Sequence, residues 1–144
     1  MQWQQYLLGF AEHAALKSKD STKVGAVLVG PDREVRLTGF NGPPHGVADL
    51  PERRFRPEKY LFSAHAESNL IAFAARAGIP TKGCSVFTTH FPCASCSRTL
   101  IQAGIARVVA GYGTTSMLDE EFTAAETMFL EANVQIVRLN CEAL

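Results

Sequence analysis

Apolar positions at the start of the chain recur every three or four residues: Trp3, Tyr6, Leu7, Phe10 and Ala14. That spacing lays one stripe along a helix, and the polar run Lys17-Ser18-Lys19-Asp20-Ser21 ends it. Two runs rich in Val and Leu follow, at residues 24–29 and 35–40. The intervening Gly30-Pro31-Asp32-Arg33 predicts a turn, so the pair reads as a β-hairpin. The pattern then dissolves between residues 41 and 61, with five prolines and glycines in the first eleven of these residues. A loop of that length inside a domain is usually functional or disordered.

Beyond it the chain alternates regularly. Residues 64–77, rich in Ala, Leu and Ile, form a predicted helix that stops at Gly78-Ile79-Pro80. Residues 84–89 predict a strand, residues 93–102 a helix ending near Gly104, and residues 105–110 another strand. Phe122, Ala125, Phe129 and Ala132 mark a last helix, and residues 134–139 a last strand. After the hairpin the order is α-β-α-β-α-β, with connections that favour right-handed crossovers and parallel pairing. The expectation is an α/β fold: three α/β/α layers built on one mixed five-stranded sheet, in a single domain over residues 1–144.

Composition narrows the function. The chain has 144 residues, of which 47% are hydrophobic and 19% charged, enough apolar surface for a core without staples. Fourteen Lys and Arg balance fourteen Asp and Glu, so the net charge is zero, and a long nucleic acid is not the expected partner. No apolar run approaches the roughly 20 residues of a membrane span. The first residues lack the basic and apolar regions of a signal peptide, which points to the cytoplasm. In that compartment the four cysteines, two of them in Cys93-Ala94-Ser95-Cys96, read as metal ligands or catalytic groups rather than disulfides.

The chemistry gathers in His65-Ala66-Glu67, Pro92-Cys93 and Cys96. Cys93 and Cys96 are three residues apart, so a helix presents both sulfurs on one face. His65 opens the preceding helix, and two helix starts can converge on one ion. One imidazole and two thiolates suit Zn²⁺ and leave its fourth tetrahedral position open, as in catalytic rather than structural sites. Glu67, close behind His65, can then move a proton instead of binding metal. Alone, a C-x-x-C is as often a structural zinc knuckle or a redox pair. H-x-E followed by P-C-x-x-C is the signature of zinc deaminases.

The chain resembles the deoxycytidylate (dCMP) deaminase family from roughly residue 17 to residue 139. Matching stretches include Lys23-Val24-Gly25-Ala26, Gly39-Phe40-Asn41-Gly42-Pro43, Leu50-Pro51-Glu52-Arg53-Arg54, His65-Ala66-Glu67-Ser68-Asn69 and Phe91-Pro92-Cys93. The resemblance implies hydrolytic conversion of dCMP to dUMP and ammonia, with zinc on His65, Cys93 and Cys96. Glu67 would carry the proton from the zinc-bound water to N3 of the base as C4 is attacked. Asn41 matches the family position that binds the sugar, although Asn-Gly is also a common turn pair. Ala66 and Cys93 would offer backbone N–H groups to the base, and Phe91 would pack on base or sugar or simply belong to the core. Arg53, Arg54 and Lys19 are the candidates for the 5′-phosphate, each with ordinary surface charge as its alternative.

The resemblance further implies dCTP or dTTP as effectors near Gly42-Pro43-Pro44-His45-Gly46 and a homo-oligomer, dimer or hexamer. Another small cytosine or purine substrate remains open, as does a non-catalytic zinc-binding module. Gly111-Tyr112-Gly113-Thr114-Thr115 departs from the family's strand-end sequence. His13 reads as a surface residue, His90 as a pocket neighbour, Cys84 as a small hydrophobe and Cys141 as an incidental thiol.

Overall fold

Along the central strands, neighbouring side chains go to opposite faces, because successive Cβ atoms of a strand alternate. Ala26 and Leu28, Val86, and Val108 face one apolar cluster, while Val27 and Val29, Phe87, and Val109 face the other. A computed structural model of the chain describes residues 1–139 and shows both clusters covered by helices. Cys141 lies outside the described residues.

The elements are α1 (Trp3–Ala15), β1 (Gly25–Val29), β2 (Val35–Phe40), α2 (Lys59–Phe62), α3 (Ala66–Ala77), β3 (Ser85–His90), α4 (Ala94–Gln102), β4 (Arg107–Gly113), α5 (Asp119–Glu131) and β5 (Gln135–Arg138). They form a five-stranded sheet in the order β2-β1-β3-β4-β5. β1 is antiparallel to both β2 and β3, whereas β3–β4 and β4–β5 are parallel. This is the expected mixed sheet. α1 covers one face through Leu7, Leu8 and Ala11, and α3, α4 and α5 cover the other through Leu70, Leu100 and Phe129. Strands buried on both faces read as continuous apolar runs, and all five residues of β1 are buried.

Two boundaries differ from expectation for physical reasons. The irregular stretch contains local order: a single 3₁₀ turn at Pro51–Arg53 and the short α2. Neither has an apolar period long enough to show in the sequence. β4 begins two residues later than expected, because Ile105 still closes the turn after α4 by donating its N–H to Leu100. Gly104, at φ 80°, makes that turn, a conformation that costs glycine little.

The starts of two packed helices position the chemistry. α3 and α4 lie against each other on the same face of the sheet, with His65 and Cys93 as their N-cap residues. Both residues are extended, with ψ of 156° and 173°, and neither makes a side-chain capping bond. Their side chains are therefore free for other work.

Candidate active site

His65 and Cys93, at two helix starts, meet Cys96, one turn into α4. His65 Nδ1 lies 3.4 Å from Cys93 Sγ and 3.3 Å from Cys96 Sγ. The three potential ligand atoms all lie within 4.8 Å of one another. Tetrahedral ligands at zinc's usual distances sit about 3.5–3.8 Å apart, so the spacing and the N/S/S donor set fit a single zinc ion. Cys93 and Cys96 are buried, whereas His65 is exposed toward the adjoining cavity. Ser68 Oγ stands 3.4 Å from Cys96 Sγ and steadies that sulfur from outside the ligand set.

The protons in this cluster are unevenly held. A hydrogen bond from Cys96, helped by His65, draws the Cys93 thiol down to about 4 against the effect of burial. The same bond, and then burial, push the Cys96 thiol up. The Cys93 hydrogen bond also raises His65. One sulfur is thus a ready anion, and the other keeps its proton until a cation competes for it.

Glu67, 4% exposed, lies next to this cluster. Its Oε1 accepts a 2.6 Å hydrogen bond from the Thr88 hydroxyl, and Thr88 is itself fully buried in β3. Thr88 Oγ1 also lies 3.0 Å from the His90 carbonyl, so a single hydroxyl proton faces two acceptors. Burial pushes the Glu67 carboxyl up from its ordinary value, with the Thr88 hydrogen bond opposing. A carboxyl raised in this way holds a proton more readily than an exposed one, as a group that gains and loses protons requires.

A cavity of about 130 Å³ opens over Glu67, His65 and Cys93. Asn41, Ala66 and Phe91 line it. Asn41 also has a structural duty: its Oδ1 accepts the Val24 N–H at 3.0 Å and its Nδ2 donates to the Thr22 carbonyl at 2.7 Å. One N–H of that amide remains to offer a ligand. Phe91 joins edge-to-face contacts with Phe122 and Phe129, so it is core on one side and cavity wall on the other. His90 lines the cavity too. Its Nδ1 is 2.7 Å from Thr89 Oγ1, and burial lowers its pKa.

Arg53, Arg54 and Lys19 are placed elsewhere. They line a neighbouring cavity of about 200 Å³ that shares only Asp20, Asn41 and Ser63 with the first. Arg54 and Lys19 both pair with Asp49, at 3.1 and 3.5 Å. Arg53 lies 4.0 Å over the Phe62 ring and donates to the Ala48 carbonyl. At the start of α4 the Ala94 N–H donates to Glu121 Oε1 at 3.2 Å.

Sequence reasoning missed Thr88, Arg56 and the Asp20–Lys59 pair, all of which line or support the cavity. Thr88 looks like any strand residue until its register opposite Ala26 sets it behind Glu67. Arg56 and Lys59 lie in the stretch without periodicity, where only tertiary structure assigns a direction.

A buried carboxyl beside an N/S/S metal set, both at helix starts on an α/β/α sheet, fits a metal-dependent hydrolase. The family model for the cytidine and deoxycytidylate deaminase zinc-binding region matches residues 1–112, and the chain belongs to that family. It is 39% identical to an uncharacterized deaminase in the luxG 3′ region of Aliivibrio fischeri, over 99% of this chain and 97% of that one. It is 37% identical to a deoxycytidylate deaminase of Mus musculus, over 93% of this chain and 78% of that one. The crystal structure of dCMP deaminase from the cyanophage S-TIM5 superposes with a TM-score of 0.75 at 25% identity, covering 94% of this chain and 96% of that one. That phage enzyme has also been crystallised with dCMP and dUMP. Among the described residues no helix is long and apolar enough to cross a membrane.

Proposed function

We infer that the chain hydrolyses dCMP to dUMP and ammonia, with His65, Cys93 and Cys96 holding zinc and Glu67 moving the protons. The observation that carries this reading is the Glu67 carboxyl, buried and fixed by Thr88 beside the three ligand atoms. Deoxycytidylate deaminases among its relatives, at 35–37% identity, support the choice of substrate. Zinc bound there supplies Lewis acidity, which makes a water nucleophilic near neutral pH.

This chain's residues do the rest. Glu67 takes a proton from the attacking water and passes it to N3 of the cytosine as the new C–O bond forms at C4. C4 becomes tetrahedral. Glu67 then takes the remaining hydroxyl proton and gives it to the amino nitrogen, the C4–N bond breaks, and ammonia leaves. The product keeps one proton on N3 and a carbonyl at C4, so the atoms balance. Phe91 walls the base, and the free amide N–H of Asn41 reaches toward the sugar. His90, held neutral by burial, adds no competing positive charge beside the metal ligands.

Ammonia release from the zinc-loaded protein tests the reading, with dCMP, deoxycytidine, CMP, 5-methyl-dCMP, cytosine and guanine compared. dCMP turns over fastest, and Glu67→Gln keeps its zinc while losing roughly 10²–10⁴-fold in kcat. Normal turnover by that variant would sink the mechanism. Preference for another member of the panel would move only the substrate.

A further inference from the structure

Which group recognises the phosphate is decided by the charges that line the cavity over Glu67, given the nucleotide substrate proposed above. In cytosine, C4 and the N1 that bears the sugar are at opposite ends of the ring. With C4 turned inward toward Glu67, the sugar and then the 5′-phosphate must come last, at the mouth. The cations lining this cavity outside the histidines are Lys59 and Arg56. Lys59 is already neutralised, since its Nζ lies 3.0 Å from Asp20 Oδ1 and both side chains are largely buried. Arg56 is different. It is exposed at the mouth, with no carboxylate partner among the described residues. Its guanidinium donates to the Ser116 hydroxyl and lies 5.8 Å from the centre of the Tyr60 ring.

We propose that Arg56, together with Ser116, is the site that binds the 5′-phosphate of the substrate. A guanidinium offers a planar fork of N–H donors that matches two phosphate oxygens, and Ser116 both orients the fork and adds a hydroxyl donor. The other anion-seeking feature nearby, the start of α5, is unsuitable: Asp119, Glu120 and Glu121 occupy its first turn and repel a phosphate. The site joins two segments far apart in sequence, the one just before α2 and the one between β4 and α5. Arg56 is therefore a specificity-determining residue, acting on nucleotide against nucleoside rather than on the chemistry at C4.

The test compares the wild type with Arg56→Ala, Arg56→Lys and Ser116→Ala. In Arg56→Ala the ratio of kcat/KM for dCMP to that for deoxycytidine falls by about 10–100-fold, as expected for losing hydrogen bonds to a charged group. Arg56→Lys recovers part of the ratio, and Ser116→Ala loses less of it. A binding readout runs beside activity: dUMP raises the melting temperature of the wild type more than deoxyuridine does, and the difference disappears in Arg56→Ala. An unchanged ratio in Arg56→Ala, or equal shifts from dUMP and deoxyuridine in the wild type, overturns the proposal. If no cytosine compound turns over but the dUMP-specific shift still depends on Arg56, the phosphate site stands and the assigned reaction falls.

Discussion

At the scale of single residues, the site depends on how few donors face how many acceptors. Thr88 has one hydroxyl proton, with Glu67 Oε1 at 2.6 Å and the His90 carbonyl at 3.0 Å. When Glu67 is ionised the proton goes to the carboxylate. When Glu67 is protonated, it donates to Thr88, which turns its own proton to the carbonyl. Glu67 thus stays anchored whether or not it carries a proton. Thr88→Val keeps the volume and removes the anchor, so kcat should fall about 10–100-fold, with KM and zinc content little changed. Thr88→Ser should recover most of the rate. Equal losses in kcat and in zinc content would instead make Thr88 a part of the metal site's structure. The ligands and Glu67 were legible in the sequence because their spacing is local, within three residues on each helix. Thr88 and Arg56 were not, because each acts through a partner at least twenty-one residues away.

At the scale of elements, periodicity foretold every long helix and every strand, because a two-sided sheet forces apolar runs and each covering helix forces a stripe. What it did not foretell is how closely the layers approach. Gly25, the first residue of β1, would bring a Cβ to 2.0 Å from the Ala11 carbonyl oxygen and 2.5 Å from the Ala15 nitrogen. Both are backbone atoms of α1, so neither can turn aside. Gly9, inside α1, would place a Cβ in open space. The two glycines therefore predict opposite signs. Gly25→Ala should destabilise by about 1–3 kcal/mol or more through overpacking. Gly9→Ala should stabilise by about 0.5–1 kcal/mol through helix propensity. Urea midpoints at constant slope measure both, and a neutral Gly25→Ala would mean that α1 is not seated as closely on β1 as the structure has it.

At the scale of the whole molecule, a zinc ion held by His65, Cys93 and Cys96 would fasten α3 to α4 and so couple metal binding to folding. Ligation needs a neutral imidazole and two thiolates. Cys93 is drawn down to about 4 by Cys96 and His65 and is already ionised at neutral pH, whereas Cys96 is pushed up and still carries its proton. Each zinc ion bound at neutral pH must release the Cys96 proton, so apparent affinity rises about tenfold per pH unit. His65 is raised by its bond to Cys93. Below that raised value a second proton must also leave, and the dependence steepens toward about a hundredfold per unit. Acid therefore strips the metal. A thousandfold excess of zinc over its dissociation constant stabilises the folded state by about 4 kcal/mol, which corresponds to roughly 10 °C in melting temperature for a chain of this size. Calorimetry in buffers of differing ionisation enthalpy counts the released protons directly. A count of zero at neutral pH would show that Cys96 is ionised beforehand and that the two sulfurs do not share one proton.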